Sequence, residues 1–269
     1  MTYRLLVLDL DGTLLRQDKS VSDANRQSIR LARQNGVRVV LATGRPPVGT
    51  RAIQKALGPE CDEYLIAFNG ALIQNQHTGA VLSRHHLSRT DYDLLAPLVH
   101  SLGLFCYAFT QDTCLAPEWH EIVDIERRVN GIEIKIQKFA DLPPEEPLIK
   151  IMATGTPEEL DRAMAVIPRV WRERYSVVRS APILLEFLHP MASKGQAVRE
   201  LAANLDIDRQ AVICIGDAGN DVDMITFAGL GAAMGNATTD ALAAADIITA
   251  SNEQDGVAQV INRYILSQN

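Results

Sequence analysis

Two aspartates one residue apart, Asp9 and Asp11, stand at the end of the apolar run Leu5-Leu6-Val7-Leu8, with Gly12 and Thr13 directly after them. The run is of strand type and the glycine permits a sharp turn, so both carboxylates fall where a strand stops. Ionised and ~4 Å apart, they would repel by about 4 kcal/mol at an effective dielectric of 20, a large share of a domain's net stability. A positive charge is therefore called for. A hard divalent cation such as Mg2+ suits carboxylates with no histidine or cysteine beside them. Calcium-loop spacing does not fit, because the third oxygen ligand before the glycine and the glutamate after it are missing. Alone, the same residues read equally well as a hairpin turn with a solvated strand end.

Three further groups sit in similar places. Thr43-Gly44-Arg45 follows the run Val37 to Ala42, Lys194-Gly195 opens a helical stretch, and Gly216-Asp217-Ala218-Gly219-Asn220-Asp221 follows the run Ala211 to Ile215. Phosphoryl chemistry has a use for each. Asp9 has the placement of a nucleophile that attacks phosphorus, and Asp11 that of an acid which protonates the leaving oxygen and then takes a proton from water. Asp217 joins Asp9 in a carboxylate set that also counts Asp11 and Asp221, the last as a ligand or as a group orienting the others. Thr43 and the Gly44 amide can hold phosphate oxygens at a helix start, with Lys194 and Asn220 as further phosphate contacts. Each has a plainer reading: Thr43 as a helix cap, Lys194 as a solvated lysine, residues 216–221 as a turn plus cap. Together, and in this order, they point to metal-assisted chemistry on a phosphate.

These groups need a scaffold that brings strand ends together. Strands at Leu5 to Leu8, Val37 to Ala42 and Tyr64 to Phe68 alternate with helical stretches, one capped by Ser22 or Asp23 and one opened by Pro46 and Pro47. That rhythm predicts a doubly wound, mostly parallel α/β sheet, with ligands beyond the carboxyl ends of its strands. The rhythm breaks near Ser83. Helix signals from Asp91 to Leu102 lead to strands at Leu104 to Phe109 and Thr113 to Ala116, a polar helix around Glu118 to Val129, and strands at Glu133 to Ile136 and Leu148 to Ala153. Thr156-Pro157-Glu158-Glu159 is a capping box with proline at the first helical position, and strands at Tyr175 to Ser180 and Ile183 to Leu188 follow. The α/β alternation then resumes from Ser193. Residues 1–82 and 190–269 are thus expected to form one core, with 83–189 an inserted α+β domain.

Composition limits what such a protein handles. Of 269 residues, 47% are hydrophobic and 22% charged, as in a folded protein long enough for two domains. A net charge of −7 argues against nucleic acid, whose binding draws on a basic face. No apolar run has the length of a membrane span, and the opening residues lack a basic-then-apolar leader, so a cytoplasmic location is expected. Cys61, Cys106, Cys114 and Cys214 have no CxxC spacing and read as free thiols in a reducing compartment, while the six histidines lack ligand spacing.

The motifs Asp9-x-Asp11-Gly12-Thr13, Thr43-Gly44-Arg45, Lys194-Gly195 and Gly216-Asp217-x-x-Asn220-Asp221 resemble the four motifs of the haloacid dehalogenase-like superfamily. Asn69-Gly70-Ala71 and the insertion after the second motif resemble its Cof-type, type IIB phosphatases with a C2B cap, and Ser180-Ala181-Pro182 with Leu185-Glu186-Phe187 resembles sugar-phosphate phosphatases of that group. The resemblance spans nearly the whole chain. It implies Mg2+-dependent hydrolysis of small phosphorylated metabolites through an aspartyl phosphate on Asp9, with the insertion choosing the substrate and Arg45, Asn69 and Glu186 at its rim. Possession of Asp11 is similar to the phosphoryl-transfer branch, because the dehalogenases lack it. A phosphohexomutase of the same fold and a phosphorylation-responsive signalling module are the competing expectations.

Overall fold

Leu5–Leu8 is the central strand of the larger sheet, and all four of its side chains are buried. The computed structural model describes residues 2–58 and 63–268. They divide into two compact units, the first made of 2–43, 51–58, 63–83 and 193–268, the second of 44–50 and 84–192.

In the first unit eight strands lie in the order Ile247–Ile248, Leu230–Ala233, Val212–Gly216, Leu5–Leu8, Arg38–Ala42, Tyr64–Ala67, Leu72–Asn75 and Val81–Arg84. The first six are parallel, and Leu72–Asn75 runs antiparallel to Tyr64–Ala67. Alternate side chains of a strand face opposite sides, so an all-apolar strand must be covered twice. Leu5 and Val7 pack with Val40, Cys214 and the helix Lys194–Asn204 through Ala197, Val198 and Leu201. Helices Asp23–Gln34 and Gly256–Tyr264 are tied together by Ser28 Oγ donating to Asn262 Oδ1 and by the Ala258 amide donating to Asn25 Oδ1. This is the expected α/β class.

The second unit carries a six-stranded sheet in the order Ser176–Ala181, Leu184–Leu188, Lys150–Thr154, Phe105–Phe109, Thr113–Ala116 and Glu133–Ile136. All neighbours are antiparallel except the last pair. One face is covered by helices Arg89–Ser101 and Pro157–Val166, whose Leu95, Val99, Leu160 and Ala163 pack with Cys106, Ala108, Ile151 and Phe187. Both helices open with capping boxes, Ser88 with Asp91 and Thr156 with Glu159. A mixed sheet with helices to one side is the α+β insertion that the sequence calls for.

Several boundaries differ from the sequence reading. The helix expected from about Glu118 starts at Glu121, because the His120 ring, rather than a serine or aspartate, caps it by accepting from the Ile122 amide. The segment after Pro46 is a 3-10 turn, Pro47–Thr50, with the α-helix beginning at Arg51. The strand expected from Leu148 to Ala153 is broken into Pro147–Leu148, paired with Leu87–Ser88, and Lys150–Thr154. Helix Arg169–Arg174 was not foreseen: it buries no residue, so no periodic apolar pattern announces it. Cys106, Cys114 and Cys214 are buried free thiols, and Cys61 lies outside the described residues. Among the described residues no helix is long and apolar enough to cross a membrane.

Candidate active site

Asp9 follows the strand Leu5–Leu8, and its amide donates to Ile215 O at 3.0 Å, fixing it beside the end of Val212–Gly216. Asp217 and Asp221 come from the turn after that second strand. Together, Asp9, Asp217 and Asp221 offer oxygens that all lie within 4.8 Å of one another. Two glycines make this approach possible. A Cβ on Gly12, whose φ is +88°, would lie 2.3 Å from Asp217 Oδ2, and one on Gly216 would lie 2.5 Å from Asp221 Cβ.

Lys194 enters from the first turn of the helix Lys194–Asn204, capped by Ser193. Its buried Nζ donates to Asp9 Oδ1 and to Asp221 Oδ1, each at 2.6 Å. Asp221 is fully buried, and its second oxygen accepts from the Asp217 and Ala218 amides at 2.9 and 3.0 Å. Both of its oxygens are therefore engaged, which suits a group that orients its neighbours. Asp217 Oδ1 accepts from Thr13 Oγ1 at 2.8 Å. Asp9 Oδ2, by contrast, is buried with no hydrogen-bond partner.

Three carboxylates face one ammonium. Burial above all, with the charges of Asp221 and Asp217, outweighs Lys194 and holds the Asp9 carboxyl well above its ordinary pKa. Burial and Asp221 likewise push Asp217 up to about 6, against the opposing hydrogen bond from Thr13. Burial alone would lower Lys194, but Asp221 and Asp9 prevail and raise it. The site thus has oxygen donors, excess negative charge and an orphaned buried oxygen, a set that fits a hard cation better than any soft one.

The other expected residues are distributed as follows. Asp11 lies outside the three-carboxylate group, more exposed, with Oδ1 accepting from Lys19 Nζ at 2.8 Å. Thr43 follows Arg38–Ala42, is buried, donates its amide to Ile66 O and accepts from the Asn69 amide at 2.9 Å. Asn69 is buried too, and its Oδ1 accepts from Asn220 Nδ2 at 3.0 Å. Gly44 and Arg45 belong to the second unit, where the Arg45 guanidinium donates to Gly49 O. Glu186 is also there, 2% exposed rather than open to solvent, paired with Lys150 at 3.1 Å.

Sequence reasoning missed Thr13 as the residue that holds Asp217. Its position in the Asp-x-Asp-Gly-Thr run was the available signal, but its partner is 204 residues away. It also missed the seating of the Asn69 turn on the Lys194 helix, where a Cβ on Gly70 would come within 2.0 Å of Ser193 O. A cavity of about 380 Å³ lined by Arg33, Arg38, Glu63, Tyr64 and Asn75 opens at the other ends of the strands, away from the carboxylates.

A family model for haloacid dehalogenase-like hydrolases matches residues 6–261. YxeH of Bacillus subtilis is 39% identical over 269 residues, spanning 99% of this chain and all of that protein. The 5-amino-6-(5-phospho-D-ribitylamino)uracil phosphatase YcsE of the same organism is 30% identical, covering 98% of this chain and 96% of its own. A haloacid dehalogenase-like hydrolase from Bacteroides thetaiotaomicron is 32% identical in a solved structure, with a TM-score of 0.84 over 97% of this chain and 99% of that one.

Proposed function

The chain belongs to the haloacid dehalogenase-like hydrolase family and is a phosphatase of it, and from that premise we propose that it hydrolyses phosphate monoesters of small polyhydroxylated metabolites, sugar phosphates foremost, in a Mg2+-dependent reaction through an aspartyl phosphate on Asp9. The observation that carries this is Asp9 itself: one oxygen is bound by Lys194, and the other is buried without a partner inside a carboxylate group. An oxygen so placed is desolvated and held still, which is what a nucleophile needs.

Asp9 Oδ2 attacks phosphorus, and the P–O bond to the leaving group breaks. Asp11 gives its proton to the departing oxygen; it then takes one from the water that cleaves the acyl phosphate. Lys194 keeps Asp9 in line and contributes positive charge as the phosphoryl oxygens gain negative charge. Thr43 and the following Gly44 amide, with Asn220, hold the phosphate oxygens. Asp9 and Asp217 would hold Mg2+, with Asp11 and Asp221 as the remaining carboxylates of the expected set, and the bound ion would supply charge that lets an anion approach an anion. Substrate choice falls to the inserted unit. Support for a polyol phosphate comes from YcsE, named for a substrate with a phosphoribityl group.

The test is phosphate release from a panel of sugar phosphates and other phosphorylated metabolites, with and without Mg2+, beside Asp9→Asn. Release that needs both the metal and Asp9 is expected, with hexose and pentitol phosphates high in the ranking. Equal rates after thorough chelation, or in Asp9→Asn, would remove the mechanism; a ranking led by substrates without hydroxyls would remove the substrate class.

A further inference from the structure

Lys150 is charged, sits in the middle of the second unit's sheet, and is 5% exposed. Its place follows from register. Lys150 is opposite Phe109 on one side and Leu188 on the other, so Glu186, two residues before Leu188, is its diagonal neighbour on the same face. Lys150 Nζ lies 3.1 Å from Glu186 Oε2 and 4.9 Å from the centre of the Phe109 ring. It also donates, at 3.4 Å, to the carbonyl oxygen of Gly44.

Gly44 is the residue directly after Thr43, and the second unit begins with it. A glycine leaves φ and ψ unrestricted by a side chain, so something else must fix the peptide planes around it. Within the segment the Gly49 amide donates to Pro46 O, Thr50 Oγ1 to Pro47 O, and the Arg45 guanidinium to Gly49 O. Gly49 is seated against Asn130, whose Oδ1 would lie 2.8 Å from an added Cβ. The Gly44 end is held by Lys150. A buried ion pair of this kind is weak as a source of stability, since matched apolar residues often do as well, and its use is to hold a geometry.

We infer that Lys150, held by Glu186, is a positioning residue that anchors the Gly44 carbonyl and so fixes the Thr43-Gly44 phosphate-holding segment. The inference rests on the phosphatase reading above. Glu186 acts through Lys150 and does not itself meet the substrate. Binding of phosphate, more than the rate of its transfer, should depend on the pair.

The decisive variant is the double replacement Lys150→Met with Glu186→Leu, which removes both charges at similar volume and leaves no buried ion unpaired. With p-nitrophenyl phosphate and Mg2+, it is expected to raise KM and the Ki of inorganic phosphate about tenfold, the equivalent of one well-placed hydrogen bond lost, with kcat changed less than about threefold. Deuterium exchange of the 44–50 amides should quicken in the same protein. Lys150→Arg, which keeps a donor, should restore most of the phosphate affinity. A double variant that is folded by thermal denaturation, with Ki and 44–50 exchange both at wild-type values, would overturn the inference. So would an Lys150→Arg protein no better than the double variant. If the wild-type protein released no phosphate, the reading of function would fall, and loop exchange alone would decide whether Lys150 anchors Gly44.

Discussion

Lys194 is a buried cation set among the carboxylates of the site, bonded to one oxygen each of Asp9 and Asp221. Removing one partner of such a group strands the others in a medium that cannot solvate them. Lys194→Met should therefore cost about 3–5 kcal/mol in urea denaturation at pH 7 without metal. Added Mg2+ should recover part of that loss, because it replaces the missing charge; a variant as stable as wild type without metal would contradict the balance described. Asp217 gives the pH dependence. Its folded pKa is raised from the usual carboxylate range to about 6, so the folded chain holds a proton more tightly than the unfolded chain does. The stability this contributes is complete below about pH 4 and is lost as pH rises through about 6. Asp9, shifted in the same direction by burial, extends the effect. A cation competes with those protons. The rise in melting temperature produced by Mg2+ should then grow between pH 5 and pH 7, and a rise that stays flat or shrinks across that window would sink the assignment.

The turn after Tyr64–Ala67 shows how an element positions chemistry. Phe68, Asn69 and Gly70 have φ of 51°, 54° and 91°, an uncommon succession of left-handed residues that only surrounding structure can hold in place. What holds it is the Thr43 carbonyl on the Asn69 amide, Asn220 on the Asn69 side chain, and the Ser193 carbonyl pressed against Gly70. Gly70→Ala would drive a methyl into that backbone at a φ alanine resists. We expect a loss of about 2 kcal/mol or more in stability, with phosphatase turnover falling as Lys194 shifts; an unperturbed variant would show that the turn does not bear on the helix start. These couplings also mark where the sequence stops being legible. Asp9, Thr43, Asp217 and Lys194 could be singled out as candidates because each sits at a strand end or helix start that local patterning reveals. The thiols and glycines said less, and Thr13 with Asp217, Asn69 with Asn220, and Lys150 with Glu186 are long-range pairs that no local pattern connects. The α/β class and the α+β insertion were legible from rhythm alone. Helix Arg169–Arg174 was not, since none of its residues is fully buried and only Trp171 packs, in part, on the core.

Among the described residues one hydrophobic core gathers around Leu5, Val7, Val40 and Leu201, and another around Leu95, Cys106, Ile151 and Phe187. Asp9, Asp217, Asp221 and Lys194 all belong to the first unit, although they come from its first and last sequence pieces. A ligand that binds there stabilises what must be folded to bind it. At a hundred times its dissociation constant that amounts to about 2.7 kcal/mol, or roughly a hundredfold slower exchange of amides that open only on unfolding. Mg2+ is therefore expected to slow exchange in Leu5–Leu8, Arg38–Ala42 and Val212–Gly216 by up to that factor. Strands Phe105–Phe109 and Lys150–Thr154, packed on the other core, should exchange at nearly their metal-free rates. Equal slowing in both sets would mean that the two cores unfold as one cooperative body. A change in the inserted unit would then come at a cost to the stability of the Asp9, Asp217 and Asp221 group, whereas independent cores leave the insertion free to vary while that group stays intact.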